Sequence, residues 1–316
     1  MTIRIATRGS ALATTQTGMV ARALEAVGAH DVELVRVRTD GDRLRGSLAS
    51  LGGTGVFVTA LREALRDGRA DVAVHSLKDL PTGPLDDLVV AATPAREDPR
   101  DALCAREGWT LATLPVGARV GTGSPRRRAQ LLALRPDLEV VDLRGNVDTR
   151  LGRVTQGDLD AVVLAAAGLS RLGRLDEATE LLGPDRLLPA PGQGSLAVEC
   201  RAGDDDVRTL VAALDDRATR LAVTAERSLL ATLEAGCSAP VGALARVEDG
   251  RTLVLESNVT ALDGAGTVRR SDTVALTGVA ADDLRVAHDL GVRAARALLD
   301  DGAAGVAALQ GTGEPR

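Results

Sequence analysis

Two successive runs of apolar strands alternating with helix-period segments constrain this chain more than any other feature. In the first run, residues 3–7, 32–39, 71–75 and 88–93 read as strands, and 11–27 and 56–67 as helices. The alternation restarts near Asp101, with strands at 119–121, 138–141 and 161–164 and helices at 125–134 and 147–156. Strands joined through helices require crossover connections. The pattern therefore predicts a parallel sheet covered by helices, built twice, with functional groups at the carboxyl ends of the strands. No residue-level repeat accompanies the doubling. After about Arg217 the pattern changes to a helix (218–234), a turn at Gly236-Cys237-Ser238-Ala239-Pro240, three strand-like runs (241–247, 252–261, 267–276) and a closing helix (281–299). Consecutive strands joined by short turns predict an antiparallel sheet.

A length of 316 residues predicts two or three domains. The net charge of -6 and the presence of only two aromatics, Phe57 and Trp109, argue against a nucleic-acid binder, which needs a basic surface or stacking platforms. The chain shows no membrane-spanning stretch, and its first residues lack the charged-then-apolar layout of a signal peptide, so a cytoplasmic location is expected. Cys104, Cys200 and Cys237 are too scattered for a disulfide framework, and His30, His75 and His288 show no metal-ligand spacing; no metal is expected. Cys104 and Cys200 lie in apolar strand-like runs and are expected to be buried and inert. Cys237 sits in a glycine-flanked turn that permits exposure, and the residues alone leave its reactivity open.

Lysine and arginine total 38, yet Lys78 is the only lysine. In a chain so biased toward arginine, a retained lysine marks a place where a guanidinium does not serve, because an amine can transfer a proton and a guanidinium cannot. Lys78 and Asp79 follow the apolar strand 71–75, together with Ser76. A second constellation, Gly121-Thr122-Gly123-Ser124-Pro125-Arg126-Arg127-Arg128, is a strand-to-helix turn with hydroxyl donors, proline at the first helical position and two forks for carboxylate or phosphate. It lacks P-loop spacing. The run Asp142-Leu143-Arg144-Gly145-Asn146-Val147-Asp148-Thr149-Arg150 repeats the theme. Adding Arg8 and Arg171, several arginines fall at predicted strand ends, which points to a polyanionic ligand. A non-catalytic anion-binding protein on the same two-domain plan is the alternative.

These segments resemble the porphobilinogen deaminase (hydroxymethylbilane synthase) family over almost the whole chain. The stretches are IATRGSALA (5–13), GGTGVFVTALREAL (52–65), ADVAVHSLKDLP (70–81), REDPRDAL (96–103), GTGSPRRRAQL (121–131), DLRGNVDTRL (142–151), AAAGLSRLG (165–173), LPAPGQGSLAVECR (188–201) and LEAGCSAPVGA (233–243). The resemblance implies a transferase of tetrapyrrole biosynthesis. In such an enzyme, a dipyrromethane cofactor held by a thioether primes the addition of four porphobilinogen molecules. Each loses ammonia, and water finally releases hydroxymethylbilane. The position matching the cofactor cysteine is Cys237. Asp79 matches the catalytic aspartate, with Lys78 beside it. Arg126, Arg127, Arg144, Arg150, Ser76, Thr122, Ser124 and Asn146 match cofactor-binding positions. Arg8, Ser10, Gln16, Arg171 and Phe57 match substrate-binding positions.

The resemblance also implies a fold. Two similar doubly wound, periplasmic-binding-protein-like α/β domains are expected at 1–95 with 195–216 and at 96–194. A C-terminal α+β domain with a three-stranded antiparallel sheet is expected at 217–316. The loop at about 42–55 matches a mobile loop of the family. The implied partner is porphobilinogen and the growing polypyrrole, in a monomer without nucleic acid or membrane. Two departures stand out: Thr54 replaces a loop lysine, and Pro125 replaces a leucine at a helix start.

Overall fold

A computed structural model describes residues 2–37, 55–233 and 239–307, with the side chains of 55–57 outside that description. The expected loop and Thr54, the ring of Phe57 and Cys237 with its turn lie outside the described residues. The chain divides into two compact units, Met1–Glu97 with Ser195–Arg220 and Asp98–Gly194 with Leu221–Arg316.

The first unit holds strands β1 (Thr2–Thr7), β2 (Asp31–Arg36), β3 (Val72–Ser76) and β4 (Leu88–Ala92), with helices α1 (Ala11–Ala26) and α2 (Gly55–Arg66). The second unit holds β5 (Asp101–Ala105), β6 (Arg119–Gly121), β7 (Glu139–Val141), β8 (Ala161–Ala165) and β9 (Glu180–Leu182), with α3 (Pro125–Leu134), α4 (Val147–Thr155) and α5 (Ala166–Arg171). The chain then returns to the first unit as β10 (Leu196–Arg201) and α6 (Asp205–Ala212). The two sheets run β2-β1-β3-β10-β4 and β7-β6-β8-β5-β9. In each, three neighbouring strands are parallel and the fourth position is antiparallel to both its neighbours.

The two sheets therefore share one topology and are mixed rather than wholly parallel. The antiparallel position is filled in the first sheet by a strand that follows the second run, and in the second sheet by a strand that precedes it. Local periodicity carries no orientation, so the apolar runs around Cys104 and Cys200 read as strands without a partner. The doubly wound α/β class stands. β3 is buried along its first four residues with no alternation, as expected of a strand covered on both faces.

The rest of the second unit is helix α7 (Arg217–Thr232, its first four residues belonging to the first unit), strands β11 (Val241–Glu248), β12 (Thr252–Thr260) and β13 (Thr267–Ala275), helix α8 (Ala280–Asp300) and the short helix α9 (Ala303–Val306). The three strands form the expected antiparallel sheet. β13 alternates between exposed and half-buried residues, the period-two signature of a strand with one covered face. Leu290, Ala294 and Leu298 of α8 pack with Leu229 and Leu255 in one core. Gly291 lets α8 pass close to α7, because a Cβ there would stand 2.2 Å from the carbonyl oxygen of Ala225. Among the described residues, no helix is long and apolar enough to cross a membrane.

Candidate functional site

In the first unit, β1 and β3 are parallel neighbours, so the residues after Thr7 and after Ser76 emerge at one sheet edge. Ser10 caps α1, its Oγ accepting the Ala13 N–H at 3.3 Å. Gln16 is buried on the first turns of α1 and donates from Nε2 to Ser76 Oγ at 3.1 Å, tying the helix to the tip of β3. The chain then makes a 3₁₀ turn, Leu77–Asp79. Leu77 and Leu80 are buried at either end of it, the Leu77 N–H donates to Ser195 O at 3.0 Å, and the Leu80 N–H closes the turn on Leu77 O at 3.1 Å. Two apolar anchors three residues apart thus leave Lys78 and Asp79 half-buried between them. Arg8 is also half-buried.

In the second unit, β6, β7 and β8 are parallel, and their carboxyl ends lead into α3, α4 and α5. Ser124 caps α3, accepting from the Arg127 N–H at 3.4 Å, while buried Thr122 accepts the Ser124 N–H at 3.2 Å. Pro125 occupies the first helical position, where its missing N–H costs nothing. Arg126 and Arg127 are not open forks. Both are buried around Asp101, which opens β5. Arg126 Nη2 donates to Asp101 Oδ2 at 2.8 Å, and another of its amines to Leu188 O. Arg127 donates to Asp101 Oδ1 from Nη2 at 2.7 Å and to Val163 O at 2.9 Å. Gln193 adds an N–H to Asp101 Oδ1 at 2.8 Å. Burial pushes the Asp101 carboxyl up, but the Arg126 and Arg127 charges overcome it and hold the group well below the usual carboxylate range.

Asn146 caps α4, its Oδ1 accepting from the Thr149 N–H and hydroxyl, each at 2.8 Å. Gly145 precedes it at φ +115, where a Cβ would meet Thr149 at 2.9 Å. Arg150 donates to Gly145 O at 2.8 Å, and Arg171 to Gly194 O at 2.6 Å. Arg144 is half-exposed and lies 3.5 Å from Asp142.

The structure thus gathers Arg8, Ser10, Gln16, Ser76, Lys78 and Asp79 at one sheet edge of the first unit. It gathers Thr122, Ser124, Arg126, Arg127, Arg144, Asn146, Arg150 and Arg171 at the corresponding edge of the second. Sequence reasoning missed Asp101, Gln193 and Glu199. A single aspartate opening an apolar strand was the available signal for Asp101; nothing local marked the others. Cys104 and Cys200 are buried as expected, and burial pushes their thiols up to about 12 and about 11.

The family model described as porphobilinogen deaminase, dipyromethane cofactor binding domain matches residues 3–209, and that for the porphobilinogen deaminase C-terminal domain matches residues 220–300. The chain belongs to the porphobilinogen deaminase family. Porphobilinogen deaminase of Cutibacterium acnes is 55% identical over 332 aligned positions, covering 99% of each chain. That of Mycobacterium bovis is 60% identical over 277 positions, covering 85% of this chain and 89% of the relative. Among solved structures, the methionine binding protein MetQ shares 13% identity at a TM-score of 0.44, over 67% of this chain and 89% of that one.

Proposed function

We propose that this chain is a hydroxymethylbilane synthase, a transferase that joins four porphobilinogen molecules on a dipyrromethane primer held by a thioether to Cys237, then releases the product by hydrolysis. The observation that carries the reading is the tip of β3, where buried Leu77 and Leu80 hold Asp79 and Lys78 half-buried at a sheet edge. The cofactor, when bound, supplies the free pyrrole α-carbon to which the first substrate is joined. Its carboxylates suit the α4 turn, where Arg144 is half-exposed beside the capping Asn146 and the positive end of a helix.

The residues divide the work. The Asp79 carboxylate accepts pyrrole N–H groups and stabilises the positive charge that develops as ammonia leaves. Lys78, as an ammonium, offsets substrate carboxylates or Asp79 itself. Ser76 and Gln16 fix the strand tip to α1. Arg8, Ser10, Arg171 and Phe57 bind incoming substrate. Arg144, Arg150, Ser124, Thr122 and Asn146 serve the cofactor and growing chain, with Arg126 and Arg127 as the cationic base beneath them. The protein works as a cytoplasmic monomer of three domains, 1–95 with 195–216, 96–194 and 217–316. Intact-mass measurement tests the reading: active protein carries an adduct of two pyrrole units that disappears in Cys237→Ser. An unmodified mass from active protein refutes the attachment.

A further inference from the structure

The first unit holds three linked titratable side chains that the proposed chemistry does not use, two of them buried and the third, Arg62, half-buried. Glu199 of β10 is 2% exposed and His75 of β3 is 5% exposed. Arg62 of α2 donates to Glu199 Oε1 from Nη2 at 2.8 Å and to both carboxylate oxygens from Nε at 3.1 Å. His75 Nε2 lies 3.1 Å from Glu199 Oε2. One carboxylate therefore joins three elements that are 124 and 137 residues apart in the chain. Burial pushes the Glu199 carboxyl up, but the bonds from His75 and Arg62 prevail and keep it below its usual range. An ionised carboxylate only accepts hydrogen bonds, so His75 donates, with its proton on Nε2.

We propose that Glu199 is a positioning residue for the reaction. His75 is the penultimate residue of β3, and the next four residues are Ser76, Leu77, Lys78 and Asp79. Glu199 pairs across the ladder with Ala73, and three residues before it Leu196 pairs with Ser76. The backbone ladder thus fixes β3 against β10 as far as Ser76, and the Leu77 N–H bond to Ser195 O carries it one residue further. The side-chain link fixes the last turn of the strand from a second direction, and Arg62 ties the same carboxylate to α2. A rigid mount matters because a misplacement of about 1 Å at a reacting centre costs roughly 100-fold in rate. The inference rests on the assignment of Asp79 under the proposed function.

The test uses the full-length protein loaded with its two-pyrrole adduct, with kinetics measured well below the melting temperature. Glu199→Gln removes the charge that orders both partners. The expected result is a fall in kcat of about tenfold or more, with KM for porphobilinogen changed by less than about threefold and the adduct mass retained. His75→Leu should reproduce the fall, and His75→Gln, which restores an N–H donor to Glu199, should recover most of it. The rescue separates positioning from mere stability, which all three changes lower. The histidine pair decides the matter if Glu199→Gln does not fold. Wild-type kcat in folded Glu199→Gln, or equal kcat in the two His75 variants, overturns the proposal. Wild-type protein that lacks the adduct and turnover instead refutes the proposed function.

Discussion

Replacing Asp101 with asparagine tests the physics of the buried cluster in the second unit. The carboxylate is fully buried, and it faces two buried guanidiniums, three contacts of which lie at 2.7–3.0 Å. The substitution keeps shape and removes the only negative charge among the contacts described. Arg126 and Arg127 then stay buried with like charge and no counterion. Removing one partner of a buried pair costs about 3–5 kcal/mol. For a body of this size, each kcal/mol lowers the melting temperature by about 2–4 °C, so a drop of roughly 6–20 °C is expected. Trp109 is the only tryptophan and packs on the core of the second unit, so its fluorescence during urea unfolding reports this unit. The folded Asp101 value is depressed, so its contribution is complete above the unfolded value near ~3.9 and is lost as pH falls through the folded value. The gap between wild type and Asp101→Asn should be full at pH 7 and narrow below about pH 4. A double-mutant cycle with Arg126→Met should be non-additive by about 0.5–3 kcal/mol. Stability of Asp101→Asn within about 1 kcal/mol of wild type at pH 7, or strict additivity in the cycle, would refute the reasoning.

Asp79→Asn should keep the cofactor adduct while turnover falls by about 100-fold or more, read by intact mass beside a steady-state assay; substantial activity removes Asp79 from its role. Arg144→Leu should lower kcat/KM by about 10- to 100-fold, the worth of one charge-assisted hydrogen bond, and native mass spectrometry should show stalled enzyme–substrate complexes. Cys104 and Cys200 should resist alkylation at pH 8 until the protein is unfolded, because burial holds both thiols protonated; peptide mapping of native protein shows whether either is labelled.

The sheets, their doubling and the antiparallel third sheet were legible because each rests on local periodicity. The strand tips were legible for the same reason: Ser76 to Asp79 follows an apolar run, and Ser124-Pro125 and Asn146 carry the grammar of helix starts. That β10 joins the first sheet followed only from the family resemblance, which grouped 195–216 with 1–95; local periodicity gave no sign of it. The partner of β3 arrives about 120 residues later in the chain, and no local pattern encodes which sheet a returning strand joins. Buried charge was hidden for a related reason. Glu199 lies at the centre of an apolar strand, and only its distant partners Arg62 and His75 account for a carboxylate there. Element α6 and strand β9 were missed outright; β9 is three residues long and has too few positions to show a period.

The arginine surplus, read from the sequence as ligand for a polyanion, divides in the structure by what each side chain must satisfy. Residues 187–194 form no strand of either sheet, yet almost all of them are buried. Buried backbone without a ladder still needs hydrogen-bond partners, and side chains supply them. Arg126 and Gln130 donate to Leu188 O, and Arg171 donates to Gly194 O. Glu226 accepts the Gly192 N–H at 2.6 Å and, from its other oxygen, the Ala245 N–H of β11 at 2.8 Å. Gln193 bonds back to Pro99 O and Asp101 near the first crossing of the chain between units. Arg126 and Arg171 are thus committed in part to the backbone of the segment that returns the chain to the first unit. Among the described residues, Arg144 donates to no carbonyl, and its one ion-pair neighbour is Asp142, at 3.5 Å. The two kinds of arginine should separate on measurement. Arg126→Leu should lower the urea midpoint read by Trp109 before any kinetic effect can be isolated, whereas Arg144→Leu should leave the unfolding free energy from the same curve within about 0.5 kcal/mol of wild type while turnover falls. If Arg144→Leu destabilises the second unit as much as Arg126→Leu, the division is wrong and the strand-end arginines act as one structural set.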